Sequence, residues 1–476
     1  MGEYELTVLK FGGTSVADGD ALQRVAQLVR RAQRGRRPVV VVSALAGVTD
    51  ALLAAADAVA DGTGEPERHR AALVALIERH KELATRLARP QAAAGVDIAL
   101  ARSRAEIGEL LEACAREPER RSALRDEIAA YGERLSAALV TAVLGAADLP
   151  ARFVDARHCL VTDDARGRAT PLFPQTDERT RAELVPLLDG GVIPVLGGYI
   201  AATAGGVTTT LGRGGSDYSA ALIGAALSAR EIQIWTDVSG VLTADPRVVP
   251  GARTIPTLSY AEAAELAYFG AKVLHPKTLQ PATDHGIPVR ICNSRAPEEP
   301  GTLVTALREV RGPEGTVKAI AHKSGITVLQ VTSTRMLGAY GFLRGLFEVF
   351  DRHRTVVDVV TTSEVSVSLT LDDPATLPAI VSELRPLGSV SVESDRAIVC
   401  VVGEGLGSTP GIAGRVFATI SDINVSLISQ GASRLNLTFV VDEERVREVV
   451  QRLHAALFEL EPADLDAAAP AGERMP

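Results

Sequence analysis

The sequence predicts an α/β protein with a mainly parallel sheet, followed by two small ferredoxin-like units, and three observations carry that prediction. Through the first 305 residues, short apolar runs ending in glycine and hydroxyl residues alternate with helical stretches, as in successive β-α-β units. One long stretch, about 51–150, is Ala, Leu, Arg and Glu at helical spacing with almost no strand signal, a helical insert. From residue 325 onward a β-α-β-β-α pattern runs through 326–371 and recurs through 397–441, the plan of paired ferredoxin-like units.

Length and composition bound the rest. At 476 residues the chain exceeds one core, and the usual domain size implies about three domains. A net charge of -9 with a single Trp excludes a dominant basic face, so nucleic acid is not an expected partner, whereas a nucleotide needs only a few placed cations. Cys114, Cys159, Cys292 and Cys400 lie far apart without Cys-x-x-Cys spacing or partnered histidines, which reads as free thiols in a reducing compartment and no protein-held metal. No apolar run reads as long enough to span a bilayer and the N-terminus lacks a signal-peptide core, so a cytoplasmic protein with no membrane partner is expected.

The first element is an apolar strand, 6–9, that stops at Lys10-Phe11-Gly12-Gly13-Thr14-Ser15. Glycines after a buried strand let backbone N–H groups approach phosphate oxygens at a helix start, and Lys10 adds a cation. The spacing is not that of a Walker A loop, because the lysine precedes the glycines. A helix at 21–33 and a strand at 38–42 follow, ending in a second small-residue loop, 43–49, so Ser43 and Lys10 share one sheet rim. Within the helical insert Gly132 interrupts a helix beside Glu133, which costs stability unless something must come close.

Strands are expected at 151–155 and 191–200, and then comes the densest motif, 208–219. There Gly212, Gly214, Gly215 and Ser216 open an apolar helix as a nest of backbone donors for an anion, with Arg213 and Asp217 at its ends. The bland alternative is a glycine turn capped by Ser216, which has no need of both charges. The strand 231–235 leads to Thr236, Asp237, Asp245 and Arg247, polar residues suited to a base and ribose, although Asp245-Pro246 is also a turn signal. A helix from about 260 leads to Lys272 and Val273, a second cation beside glycine. Gly403 to Ser408 mimics a dinucleotide fingerprint but has Ser408 where the third glycine belongs.

The stretches 10–16, 43–49, 208–219, 235–247 and 269–276, in this order, resemble the amino-acid kinase family, and specifically the monofunctional lysine-sensitive aspartate kinases. The likeness spans nearly the whole chain. It implies a three-layer amino-acid kinase domain over 1–305, a first ACT domain over 316–395 and a second over 396–461, with no segment for a fused homoserine dehydrogenase; the tail over 462–476, outside the likeness and rich in Pro, Ala and Gly, reads as disordered. The implied reaction is transfer of the γ-phosphoryl of ATP to the β-carboxylate of L-aspartate, the first step of lysine, threonine and methionine biosynthesis. Mg²⁺ is expected to be bound through the ATP phosphates.

By the same resemblance Lys10 and Lys272 hold phosphates and Asp217 orients the lysines, with Gly12, Gly13, Thr236, Asp237, Asp245, Arg247 and Val273 around the nucleotide. Aspartate is met by Arg213 at its α-carboxylate and Glu133 at its ammonium, with Ser43, Thr49, Gly214, Gly215 and Ser216. Leu242 stands where some relatives carry a tyrosine. Met336, Ala339, Val357, Asp358, Ser363 and Glu364 are the expected effector site, with L-lysine the expected ligand and threonine the alternative. A homodimer through the ACT domains, or a tetramer, is implied. The rival readings are a catalytically dead amino-acid sensor, which would need neither lysine, and a kinase of the same family with another acceptor, which the ACT pair and Glu133 oppose.

Overall fold

The computed structural model describes residues 5–62, 66–270, 276–306 and 317–459. The expected nucleotide residues Lys272 and Val273 and the tail 462–476 lie outside the described residues. Two compact units emerge: one takes in residues up to 241 together with 256–260 and 273–306, the other 242–255, 261–272 and the remainder. The strict division at 305 is therefore crossed twice by chain that clusters with the C-terminal unit.

In the first unit the strands are β1 (Glu5–Phe11), β2 (Arg36–Val42), β3 (Ala151–Val154), β4 (Val161–Thr162), β5 (Ile193–Gly197), β6 (Ile200–Thr203), β7 (Thr208–Thr210), β8 (Glu231–Thr236), β9 (Thr257–Ser259), β10 (Val289–Asn293) and β11 (Thr302–Thr305). Among the described residues an eight-stranded sheet runs β3-β5-β2-β1-β8-β10-β11-β9, and β4, β6 and β7 form a separate small sheet. Within the large sheet only the β10–β11 pairing is antiparallel. The chain builds outward from β1 through β2, then returns to β8 on the other side of β1, so β1 lies at the point where strand order reverses and ligands bind beyond the carboxyl ends.

Helices α1 (Gly19–Gln33), α2 (Val48–Asp61), α3 (Pro66–Leu87), α4 (Pro90–Arg116) and α5 (Arg121–Ala146) cover one face; α6 (Phe173–Asp189), α7 (Gly215–Ala226) and α9 (Pro276–Asp284) lie on the other, and α8 (Tyr260–Tyr268) falls mainly to the second unit. Alternation along β1 sends Leu9 and Phe11 into the core with α1 and α5, which leaves Lys10 on the α7 face. With its preceding turn, α5 is long and apolar enough to cross a membrane by composition, contrary to the expectation from the sequence, yet 72% of that stretch is buried in the fold and it carries Asp126 and Glu133. It is the core helix of this unit.

The second unit holds β12 (Ala319–Thr332), α10 (Phe342–Arg352), β13 (Val360–Thr362), β14 (Ser366–Leu371), α11 (Leu377–Leu384), β15 (Ser389–Val402), α12 (Ile412–Thr419), β16 (Leu427–Gln430), β17 (Asn436–Asp442) and α13 (Val446–His454). The expected elements are present, but their grouping differs from two tandem blocks. Residues 319–323 of β12 pair with 398–402 of β15, whereas 326–332 pair with β14 and with 389–396 of β15. One core gathers Leu329, Leu346, Phe350, Leu369 and Leu384; the other gathers Ile320, Val399, Phe439 and Leu453 with Val248 and Val249. The first lobe is thus inserted between the opening strand of the second lobe and its remainder. The expected boundary at 395/396 falls inside β15, because long strands bury both ends by spanning both cores.

Candidate active site

Lys10 ends β1 between β2 and β8, and its Nζ stands 2.6 Å from Asp217 Oδ1 at the first turn of α7. Both side chains are largely buried, at 10% and 15% exposure, so the pair is screened far less than a surface ion pair. Gly12 lies beside the ammonium: a Cβ there would sit in ordinary contact, 3.6 Å, with Lys10 Nζ. The Gly12 N–H donates to the Trp235 carbonyl at 3.0 Å, and a 3-10 turn over Gly13–Val16 precedes α1, whose first turn is capped by Asp18. The phosphate-facing donors expected of a helix start thus belong to a short turn.

The second glycine loop behaves as its composition requires. Gly214 takes φ +71 as the N-cap of α7, and no side chain caps the helix; Gly215 N donates to the Gly212 carbonyl at 2.9 Å, so it is the N–H groups of Ser216 and Asp217, next in the first turn, that remain for an anion. Ser216 is therefore not the cap, and Arg213 sits exposed on the turn. Gly198 at the end of β5 makes this loop possible, since a Cβ there would lie 2.8 Å from Ser216 Cα.

A pocket of about 290 Å³ lies where these pieces meet, lined by Lys10, Ser43, Thr49, Glu133, Tyr199, Gly212, Gly214, Gly215, Ser216 and Asp217. Larger clefts, of 540 and 460 Å³, are lined by residues such as Glu5, Arg37, Arg230 and Glu231, whose charges are already paired with one another or with neighbours. The smaller pocket gathers a buried ion pair and a carboxylate oxygen without a partner. Glu133 is 3% exposed; its Oε1 accepts from Ala44 N at 3.4 Å and Thr49 Oγ1 at 3.3 Å, while Oε2 has no partner. Burial pushes this carboxyl up to about 8, against weaker opposing hydrogen bonds. Gly132 brings it there: a Cβ at 132 would lie 2.9 Å from Ala44 Cβ.

Other expected residues are distributed as follows. Thr236 ends β8 and Asp237 follows it, on the rim beside β1, with Thr236 Oγ1 donating to Asp237 Oδ1 at 3.2 Å. Asp245 and Arg247 belong to the second unit and pair with each other at 2.6 Å. Tyr199 lines the pocket and went unread in the sequence; its backbone at φ +66 is unusual for a non-glycine residue, and the signal available was its place after Gly197-Gly198. In the second unit Met336 closes a 3-10 turn before α10, and Ala339 N donates back to Met336 O at 3.2 Å. Val357 packs on the first regulatory core, Ser363 Oγ is 2.7 Å from Ser366 Oγ, and Glu364 is exposed. Asp358 differs from the open acid expected: its side chain is 3% exposed and already meets Lys323 at 3.0 Å and the Tyr268 hydroxyl.

Residues 5–293 match the amino acid kinase family and 399–457 match the ACT domain. The chain belongs to the aspartokinases of the amino acid kinase family. It is 40% identical to lysine-sensitive aspartokinase 3 of Escherichia coli over 472 residues, 96% of this chain and 100% of that protein. Chloroplastic aspartokinase 2 of Arabidopsis thaliana is 38% identical over 485 residues, covering 96% and 85%. The crystal structure of Escherichia coli aspartokinase III with aspartate and ADP, an R-state, superposes with a TM-score of 0.83 at 40% identity over 96% of this chain and 100% of that one. The T-state of the same enzyme with lysine and aspartate gives 0.78 over 95% and 100%. Among the described residues of this aspartokinase-family chain, no group of three or more His, Cys, Asp or Glu stands ready to hold a metal ion.

Proposed function

We infer that the chain phosphorylates the β-carboxylate of L-aspartate with ATP, giving 4-phospho-L-aspartate and ADP, and that L-lysine inhibits it. The observation that carries the reading is the meeting, in one pocket at the strand-reversal rim, of Lys10, Asp217 and a buried Glu133 whose Oε2 has no partner. A β-carboxylate oxygen attacks the γ-phosphorus, and the bond from that phosphorus to the β,γ-bridging oxygen breaks in line as ADP departs. Such transfer asks chiefly for alignment and charge neutralisation. Lys10, held in place by Asp217, stabilises the transferring group; Glu133 takes the substrate ammonium, with Ser43 and Thr49 beside it. Arg213 and the Ser216 N–H receive the α-carboxylate, with Gly214 and Gly215 letting the backbone come close, while Thr236, Asp237, Asp245, Arg247, Lys272 and Val273 serve the nucleotide. Mg²⁺ bound through the ATP phosphates supplies further positive charge; the described residues offer no cage for it, and no step here is assigned to a protein-held ion.

The lysine reading rests on a relative crystallised with it, Escherichia coli aspartokinase III, and on the 336–364 region of the second unit. Exposed Leu337, Tyr340, Phe347, Val356 and Val360 support self-association through this unit as a homodimer, checked by the solution mass from sedimentation in analytical ultracentrifugation. Four buried free cysteines support the cytoplasm as its compartment.

The test is aspartate-dependent ADP release by the wild type and by Lys10→Ala. The expected result is wild-type turnover that needs aspartate, and a loss of about a hundredfold or more in the variant with its circular dichroism unchanged. A wild type that releases no ADP with aspartate, or a variant that turns over normally at saturating substrates, rejects the assignment.

A further inference from the structure

The acceptor pocket hangs from a second buried carboxylate that the reaction itself does not use. Asp126 lies seven residues before Glu133 on α5, two helical turns away and on the same face. It is 3% exposed. Its Oδ1 accepts from Thr210 Oγ1 at 2.7 Å and its Oδ2 from Gly167 N at 3.1 Å. The neighbouring arginines are engaged elsewhere, Arg125 with Asp57 and Arg166 with the Thr208 carbonyl. Burying a carboxylate for stability alone is poor design, since apolar residues of similar size serve a core as well or better.

Both donors converge on the glycine loop. Thr210 ends β7 two residues before Gly212, and its carbonyl accepts from Ala169 N at 2.9 Å. Gly212, at φ +76, packs so closely on the 163–170 segment that a Cβ there would lie 3.0 Å from the Gly167 carbonyl. The opposite wall is tied to the same place: Leu211 N donates to the Tyr199 carbonyl at 2.9 Å, Ser219 Oγ receives Tyr199 N at 2.9 Å, and the Tyr199 side chain meets the Thr210 hydroxyl. Tyr199 and Gly212 both line the pocket.

We propose that Asp126, acting through Thr210 and Gly167, is a positioning residue that sets the acceptor wall formed by Tyr199 and the 212–216 loop, and so governs how well the amino-acid substrate is held. The proposal rests on reading that pocket as the aspartate site. Asp126 touches no reacting atom; it fixes where the loop carrying Arg213 departs from β7. A loop displaced by a fraction of an ångström loses acceptor alignment while the nucleotide side is untouched.

Steady-state kinetics of Asp126→Asn, Thr210→Val and Arg213→Ala test it, each with thermal melting. Asp126→Asn and Thr210→Val are each expected to raise KM for aspartate about tenfold while KM for ATP stays within about twofold. The double variant is expected to be no worse than the poorer single one, since both break one network. Thr210→Val removes only a hydroxyl, so it serves where Asp126→Asn fails to fold. Equal rises in both KM values, or an unchanged aspartate KM in a variant that melts like the wild type, overturn the proposal. If Arg213→Ala impairs aspartate use and the network variants do not, the positioning role alone falls. A normal aspartate KM in Arg213→Ala rejects the pocket assignment and the proposal with it.

Discussion

Glu133 binds its proton more tightly folded than unfolded, because burial lifts its carboxyl from the ordinary 4.5 to about 8. Two consequences follow in opposite senses. The folded state holds the extra proton between those values, so the group's contribution to stability is lost as pH rises from about 4.5 through about 8. Glu133→Gln removes that slope, and melting curves at pH 5 and pH 8.5 should show a smaller difference in the variant than in the wild type. Substrate binding runs the other way, since an ammonium pairs only with the carboxylate. KM for aspartate is expected to fall as pH rises toward 8, and the fall should vanish in Glu133→Gln. A wild-type KM that is flat over that range would remove Glu133 from the ammonium site. Lys10, Ser43 and Glu133 were legible in the sequence because each follows a strand end or a helix glycine. Tyr199 and Asp126 were not, because a tyrosine after two glycines and an aspartate in a charged helix look ordinary until tertiary neighbours are known.

At the scale of elements, β5 and α7 approach each other through a glycine. A methyl group at 198 would meet backbone, Ser216 Cα at 2.8 Å, and backbone cannot rotate away as a flexible side chain can. Gly198→Ala is therefore expected to cost about 1–3 kcal/mol and to shift the loop, lowering activity as well. Gly205→Ala, whose nearest neighbour would be 3.8 Å away, is the matched control and should be close to neutral. Denaturant melts and turnover of the two variants decide the matter; equal stability would mean that the loop has slack the structure does not suggest. Strands β1, β2, β3 and β8 followed from apolar runs and glycine punctuation, whereas the expected strand 191–200 breaks at Gly198-Tyr199 into β5 and β6, and β4, β7, β9 and β11 are too short to stand out. The long β12 and β15 did not, because a strand shared by two cores carries no mark at the point where it passes from one to the other.

For the molecule as a whole, the proposed regulation is expected to depend on Asp358. Burial alone would raise its carboxyl, but hydrogen bonds from Asp372, Tyr268 and Lys323 hold it below the usual range. An effector ammonium at this acid would therefore compete with an internal one, Lys323, and inhibition requires that the inhibited state favour the effector's pairing. Lysine is expected to inhibit the wild type, and Asp358→Ala or Ser363→Ala to raise the half-inhibitory concentration about tenfold or more. Separate titrations of lysine and threonine check this; undiminished lysine inhibition in Asp358→Ala, or a response to threonine alone, rejects the lysine site as drawn.

Local chemistry was determined by the sequence itself: which strands end in glycine, which lysine stands at a rim, and which segments repeat. These depend on neighbours within a few residues, where φ freedom, side-chain period and apolar runs act directly. Only tertiary structure decided that Asp217 and not solvent neutralises Lys10, that Glu133 is left without a cation, and that Asp358 already holds one. It also decided that residues 319–323 join the lobe whose other strands lie some eighty residues later. Charge pairing and core membership are settled by which surfaces meet and exclude water, and chain order alone does not encode those meetings.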